Sequence, residues 1–96
     1  MKNILVVCSN TPEWELFVNT LQWNLSKLGK RYKSTDSYIH NIDGDAKYFY
    51  VPNNTYGLNQ FMYLLGEDSK IDLIIPMCKL EDGVEDYLGL FLEAGE

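Results

Sequence analysis

Along this chain, unbroken apolar runs alternate with stretches of helical periodicity, and the alternation starts at once. Ile4, Leu5, Val6, Val7 and Cys8 follow one another without a polar interruption. A strand of that kind needs cover on both faces, as in a parallel sheet. Thr11-Pro12-Glu13 then supplies an N-cap, a proline at the first helical position and an acid in the first turn. Trp14, Phe17, Val18, Leu21, Leu25 and Leu28 recur at helical spacing up to Gly29, which predicts a helix over residues 12–28. Leu16 and Trp23 fall on a second stripe of that helix, so Trp23 is a candidate aromatic anchor for a partner.

Further on, Tyr38 to Ile42 and Ala46 to Val51 are two β-prone runs joined by Asp43-Gly44-Asp45, a hairpin signal. Pro52-Asn53-Asn54 breaks the second run, and Leu58, Phe61, Met62 and Leu65 predict a short helix over residues 56–65, ended by Gly66. Ile71 to Ile75 reads as another buried strand stopped by Pro76. It matches the first run in character, which places the two parallel and near the sheet centre. Val84, Tyr87, Leu88 and Phe91 share one face of a last helix, which carries like charges four residues apart and two glycines, Gly83 and Gly89. The expected fold is therefore α/β, in two or three layers. Its sheet has about four strands: a parallel core of Ile4 to Cys8, Ala46 to Val51 and Ile71 to Ile75, plus the hairpin strand Tyr38 to Ile42. Two to three helices cover it. Residues 1–96 read as one domain, since the length suits one core.

Charge changes the picture more than composition does. The net charge of −6 is concentrated in the last third: residues 1–66 hold six basic and five acidic side chains, residues 67–96 two basic and nine acidic. Such an end repels nucleic acid and attracts basic protein surfaces. The apolar run before Cys8 is too short for a signal-peptide core or a membrane span, which points to a cytoplasmic protein without a membrane segment.

Candidate chemistry is sparse. In an open parallel sheet, ligands bind beyond the carboxyl ends of the strands. Three loops belong there: Cys8-Ser9-Asn10-Thr11, Pro52-Asn53-Asn54-Thr55 and Pro76-Met77-Cys78-Lys79. Cys8, Ser9, Asn10, Thr11, Asn53, Asn54 and Thr55 are thus the candidates for a small-ligand or nucleotide site, the first loop also offering a helix N-terminus to an anion. Neither a dinucleotide fingerprint nor a Gly-Lys-Ser/Thr phosphate loop occurs. Cys8 and Cys78 have no Cys-x-x-Cys spacing and read as small core hydrophobes. His40 shares a strand face with Tyr38 and Ile42 and reads as a packed or half-exposed histidine, not a base. No metal set and no cofactor is indicated. Lys27, Lys30, Arg31 and Lys33, with Trp23 and Tyr32, have the residue types of a nucleic-acid contact, but a helix-end cluster suits the acidic chain better.

The run from Tyr38 to Pro52, then Tyr56-Gly57-Leu58 and the strand Ile71 to Ile75, resembles part of the P-loop NTPase core of phage terminase large subunits and helicases. There a hairpin of this kind precedes a glycine-containing turn and the strand bearing the acidic metal-binding motif. Here Pro76-Met77 follows Ile75 where that family has acids, and no phosphate loop follows the first strand. The resemblance implies a stripped core that keeps the sheet without nucleotide hydrolysis, and carries over no site residue.

The reading that fits these features is a small non-enzymatic accessory or inhibitor protein, of the kind phages and mobile elements encode, acting by protein–protein contact. Glu81, Asp82, Glu85 and Asp86 supply charge, and Trp23 and Tyr87 the apolar anchors. The alternatives are the small-ligand site above, and a self-associating subunit, a homodimer for instance, that buries a weak last helix.

Overall fold

The computed structural model describes residues 2–66 and 70–94, with the side chains of residues 90–94 outside the description. Five strands and three helices follow in the order β1 (Lys2–Cys8), α1 (Thr11–Lys27), β2 (Tyr32–Ser34), β3 (Tyr38–Asn41), β4 (Ala46–Pro52), α2 (Thr55–Leu65), β5 (Leu73–Pro76) and α3 (Asp82–Ala94). The sheet is open and mixed, in the order β2-β3-β4-β1-β5. β1 runs parallel to β4 and to β5, whereas β2, β3 and β4 are antiparallel neighbours.

The central place of β1 follows from its composition. Ile4 to Cys8 are all buried, because apolar cover is available above and below. β4 and β5 lie on opposite sides of β1, so two right-handed crossovers put their helices on opposite faces. The result is three layers. On one face, Val6, Cys8 and Ile39 pack with Trp14 and Leu25 of α1, and Phe17, Val18, Leu21, Tyr48 and Tyr50 close around them. On the other, Leu5, Val7 and Val51 meet Leu58 and Met62 of α2 and Val84 and Leu88 of α3. Rings reinforce both layers: Trp14 stacks on Tyr50 at 5.5 Å, and Phe49 meets Phe61 edge-on at 5.2 Å.

The hairpin forms as its Asp-Gly turn predicts, with His40 opposite Lys47 and Asn41 opposite Ala46. Four expectations are corrected. The sheet has a fifth strand, β2, where only a polar connection was expected; Tyr32–Ser34 is extended because β3 offers it a free edge. β5 is an edge strand and not a central one. It begins at Leu73, which is 51% exposed, and Pro76 ends it on an edge that needs no N–H from that residue. The N-cap of α1 is Asn10 rather than Thr11, so Pro12 falls at the second helical position. Leu28, expected inside, caps the C-terminus of α1 and is 69% exposed. The expected inward face of α3 is met at Val84 and Leu88, while the side chain of Phe91 lies outside the described residues.

Candidate functional site

The carboxyl ends of β1, β4 and β5 bring the three expected loops to one edge of the sheet, but most of their polar groups are already engaged. The Asn10 carboxamide accepts the Glu13 N–H at 3.0 Å, and the Glu13 carboxylate reaches back to accept the Ser9 N–H at 2.6 Å. The pair resembles a capping box, except that the Glu13 carboxylate reaches one residue further back, to the N–H before the N-cap. It places a fixed negative charge where an anion would have to dock. Asn54 likewise caps α2 by accepting the Gly57 N–H at 2.6 Å. Asn53 straps the next loop down, donating to the Lys79 carbonyl at 3.0 Å and accepting the Glu81 N–H at 3.2 Å. Ser9, Thr11 and Thr55 remain at the surface.

Cys8 sits below this edge, fully buried, with its thiol 3.8 Å from the Val6 carbonyl. Burial, then the charges of Glu13 and Cys78, push its pKa up to about 11. A thiol held protonated is a poor nucleophile and a poor metal ligand. Cys78 also points at a carbonyl, that of Val7, at 3.8 Å, and both cysteines are free. Among the described residues, no group of three or more His, Cys, Asp or Glu side chains converges as a metal set would.

One cleft of about 390 Å³ opens at the same edge, between the first turns of α1 and the turn joining β2 to β3. It is lined by the apolar Trp14 and Val18, by the carboxylates of Glu15 and Asp36, and by Thr11, Asn19 and Thr35. Of the expected ligand residues only Thr11 lines this cleft. Its two carboxylates could have been placed from sequence: the hairpin sets Tyr38 opposite Phe49, so the residues before Tyr38 fold beyond the end of β4, beside the start of α1. With two carboxylates among its lining residues, the cleft suits a cation better than a phosphate.

The expected protein-contact residues divide between two places. Glu81, Asp82, Glu85 and Asp86 are all exposed at the start of α3, with no hydrogen bond or ion pair from their side chains among the described residues. Asn53 from below and the close approach of Gly83 to the Thr55 methyl fix this turn against α2. Tyr87 turns inward: its ring packs on the core and its hydroxyl donates to the Asn59 carboxamide at 3.0 Å. Trp23 is 63% exposed on the outer face of α1, level with Leu16 at 62%, and the Lys27 ammonium sits 4.8 Å from the centre of its ring. α1 and α3 cover opposite faces of the sheet, so Trp23 and the acidic turn belong to different surfaces.

Among the described residues, no helix is long and apolar enough to cross a membrane. Compared with family models, curated proteins and solved structures, the chain matches none.

Proposed function

We propose that this chain is a non-enzymatic accessory protein that works by protein–protein contact, through the acidic first turn of α3. One observation carries this reading: Glu81, Asp82, Glu85 and Asp86 are exposed together on a turn braced from beneath, and among the described residues none is spent on an internal partner. A rigid backbone presenting four unpaired carboxylates attracts a basic surface and loses little side-chain order in meeting it. The test is capture of protein from cell lysate by the native chain and by a variant with all four acids changed to Lys. Binding that disappears in the variant, while its melting temperature stays within a few degrees of the native value, supports the reading. Undiminished binding sinks it.

The cleft beside α1 favours a second reading, a small-ligand site. Its lining combines the apolar Trp14 and Val18 with the carboxylates of Glu15 and Asp36, which favours an organic amine with an apolar body. A dose-dependent rise in melting temperature with diamines, but not with nucleotides or inorganic phosphate, is the expected signature.

A further inference from the structure

The register of the sheet brings together three residues that lie far apart in sequence. Lys33 of β2 pairs with His40 of β3, and His40 pairs with Lys47 of β4. Residues paired across neighbouring strands point to the same face, so these three side chains form one row. Ile39 and Tyr48 turn toward α1, which puts the row on the other face, the side of α2 and α3. The core on that face gathers side chains of β1 and β4 under α2 and α3, and no hydrophobic residue of β2 or β3 belongs to it. The row lies outside that core, with Lys33 exposed and His40 and Lys47 half-buried. Among the described residues, none of its three side chains makes a hydrogen bond or an ion pair.

The Lys47 ammonium lies 4.1 Å from the centre of the Tyr38 ring, so the aromatic surface a nucleic-acid base would stack on is occupied. What the row offers is local positive charge, which an acidic protein surface complements, and the chain carries one. The acidic turn of α3 follows the carboxyl end of β5, whereas Lys47 pairs with Asn3 near the start of β1, on the opposite flank of the sheet. The two patches occupy diagonal corners and cannot neutralise each other within one chain.

We infer that the occupant of the basic strip is a second copy of this chain, docking its Glu81, Asp82, Glu85 and Asp86 turn onto Lys33, His40 and Lys47. This rests on the acidic turn being a contact surface, as proposed above, and names its partner. Two copies can exchange this contact reciprocally about a two-fold axis, or it can repeat head-to-tail into a ring or an open chain of subunits.

The test uses two variants, Lys33→Glu/Lys47→Glu and Glu81→Lys/Glu85→Lys, in sedimentation across a wide concentration range at low and high salt. The native chain is expected to grow in mass with concentration at low salt and to dissociate at high salt. Each variant alone is expected to associate at least tenfold more weakly. When the neutral variants Lys33→Gln/Lys47→Gln and Glu81→Gln/Glu85→Gln are mixed in equal amounts, one native acidic turn and one native basic strip remain as the only fully charged pair across the two chains, and a dimer of one of each variant is expected, with nothing larger. A native chain that stays monomeric overturns the inference, and so does a mixture that stays monomeric while the native chain assembles. If the native chain is monomeric but its lysate capture is still lost on reversing the four acids, the contact reading stands with a different basic partner. A single-stranded oligonucleotide retained by the native chain and released by Lys33→Glu/Lys47→Glu also overturns it. Should either glutamate or lysine variant melt early, Lys33→Gln/Lys47→Gln and Glu81→Gln/Glu85→Gln replace it, with the same weakening expected of each.

Discussion

The two faces of the sheet solve the same covering problem differently. On one face a single seventeen-residue helix, α1, shelters Val6, Cys8 and Ile39, and with Ile39 it reaches as far as β3. It does so with large rings: Trp14 stacks on Phe17 at 5.8 Å and on Tyr50 at 5.5 Å, and Phe17 meets Tyr48 at 5.7 Å. On the other face two helices bring mainly aliphatic side chains, Leu58, Met62, Val84 and Leu88, down onto β1 and β4. Neither β2 nor β3 contributes a side chain to that core. Reach is thus set by the size of the inward side chains as much as by the number of helices, and the side with more helices is the side whose core extends over fewer strands.

Truncating each face at its anchor gives the strongest test of that contrast. Trp14→Ala should cost about 3–5 kcal/mol in denaturant unfolding, as removal of a buried aromatic does. Leu58→Ala, equally buried but with its neighbours able to close in from two helices, should cost about 2–4 kcal/mol. A larger loss at Leu58 would show that the aromatic side is not the stiffer one.

Alkaline titration probes the α1 face from within. The Cys8 thiol, with its pKa raised from 9.0 to about 11, stays protonated in the folded chain after it ionises in the unfolded one. Its contribution is complete below pH 9 and fades as pH rises through about 11, a loss on the order of 2 kcal/mol. The native chain should therefore lose stability between these values more steeply than Cys8→Ala does. Equal slopes in the two unfolding series would refute the assignment.

Smaller effects separate the helix starts. Asn10→Ala and Asn54→Ala should each cost about 1 kcal/mol, with Asn10 the costlier because the Glu13 back-bond depends on the same turn. Thermal unfolding of the two variants side by side decides it. The smallest effect is expected at the surface. Hydrogen bonds from the Arg31 side chain and backbone N–H, 2.9 Å and 2.6 Å long, hold the Asp43 carboxyl below the usual carboxylate range. Whatever that pair contributes is present above the ordinary carboxylate pKa and is lost as pH falls through the lowered one. Asp43→Asn should flatten the acid limb of the stability curve slightly, and carbon-detected titration of Asp43 would show the depressed midpoint directly.

Much of this architecture was legible in the residues. The unbroken run from Ile4 to Cys8 announces a strand covered twice, and Asp43-Gly44 announces the hairpin. Other parts depend on neighbours that no local pattern reveals. Tyr32–Ser34 is polar and exposed, and it is a strand only because β3 presents an unpaired edge. Ile71 to Ile75 looks central because it feeds both faces, Ile71 and Ile74 under α2 and α3 and Ile75 on the α1 side, even though β5 is the last strand of the sheet. Asn10 and Thr11 are both good N-caps, and the choice turns on where the Glu13 carboxylate can reach. The acidic turn was visible as charge. The row Lys33, His40 and Lys47 was not, since it exists only once β2 has taken its place.

The position of β1 also has a consequence in time. It comes first in the sequence, yet its partners begin only at Ala46 and Leu73, so during synthesis it emerges long before anything can pair with it. The β3–β4 hairpin, by contrast, closes over a short turn and needs no distant segment. Pulsed hydrogen exchange during refolding should find the hairpin amides protected before those of β1. Until β4 arrives, Ile4 to Val7 form a sticky apolar segment with both faces in water, the part of the nascent chain most in need of a chaperone.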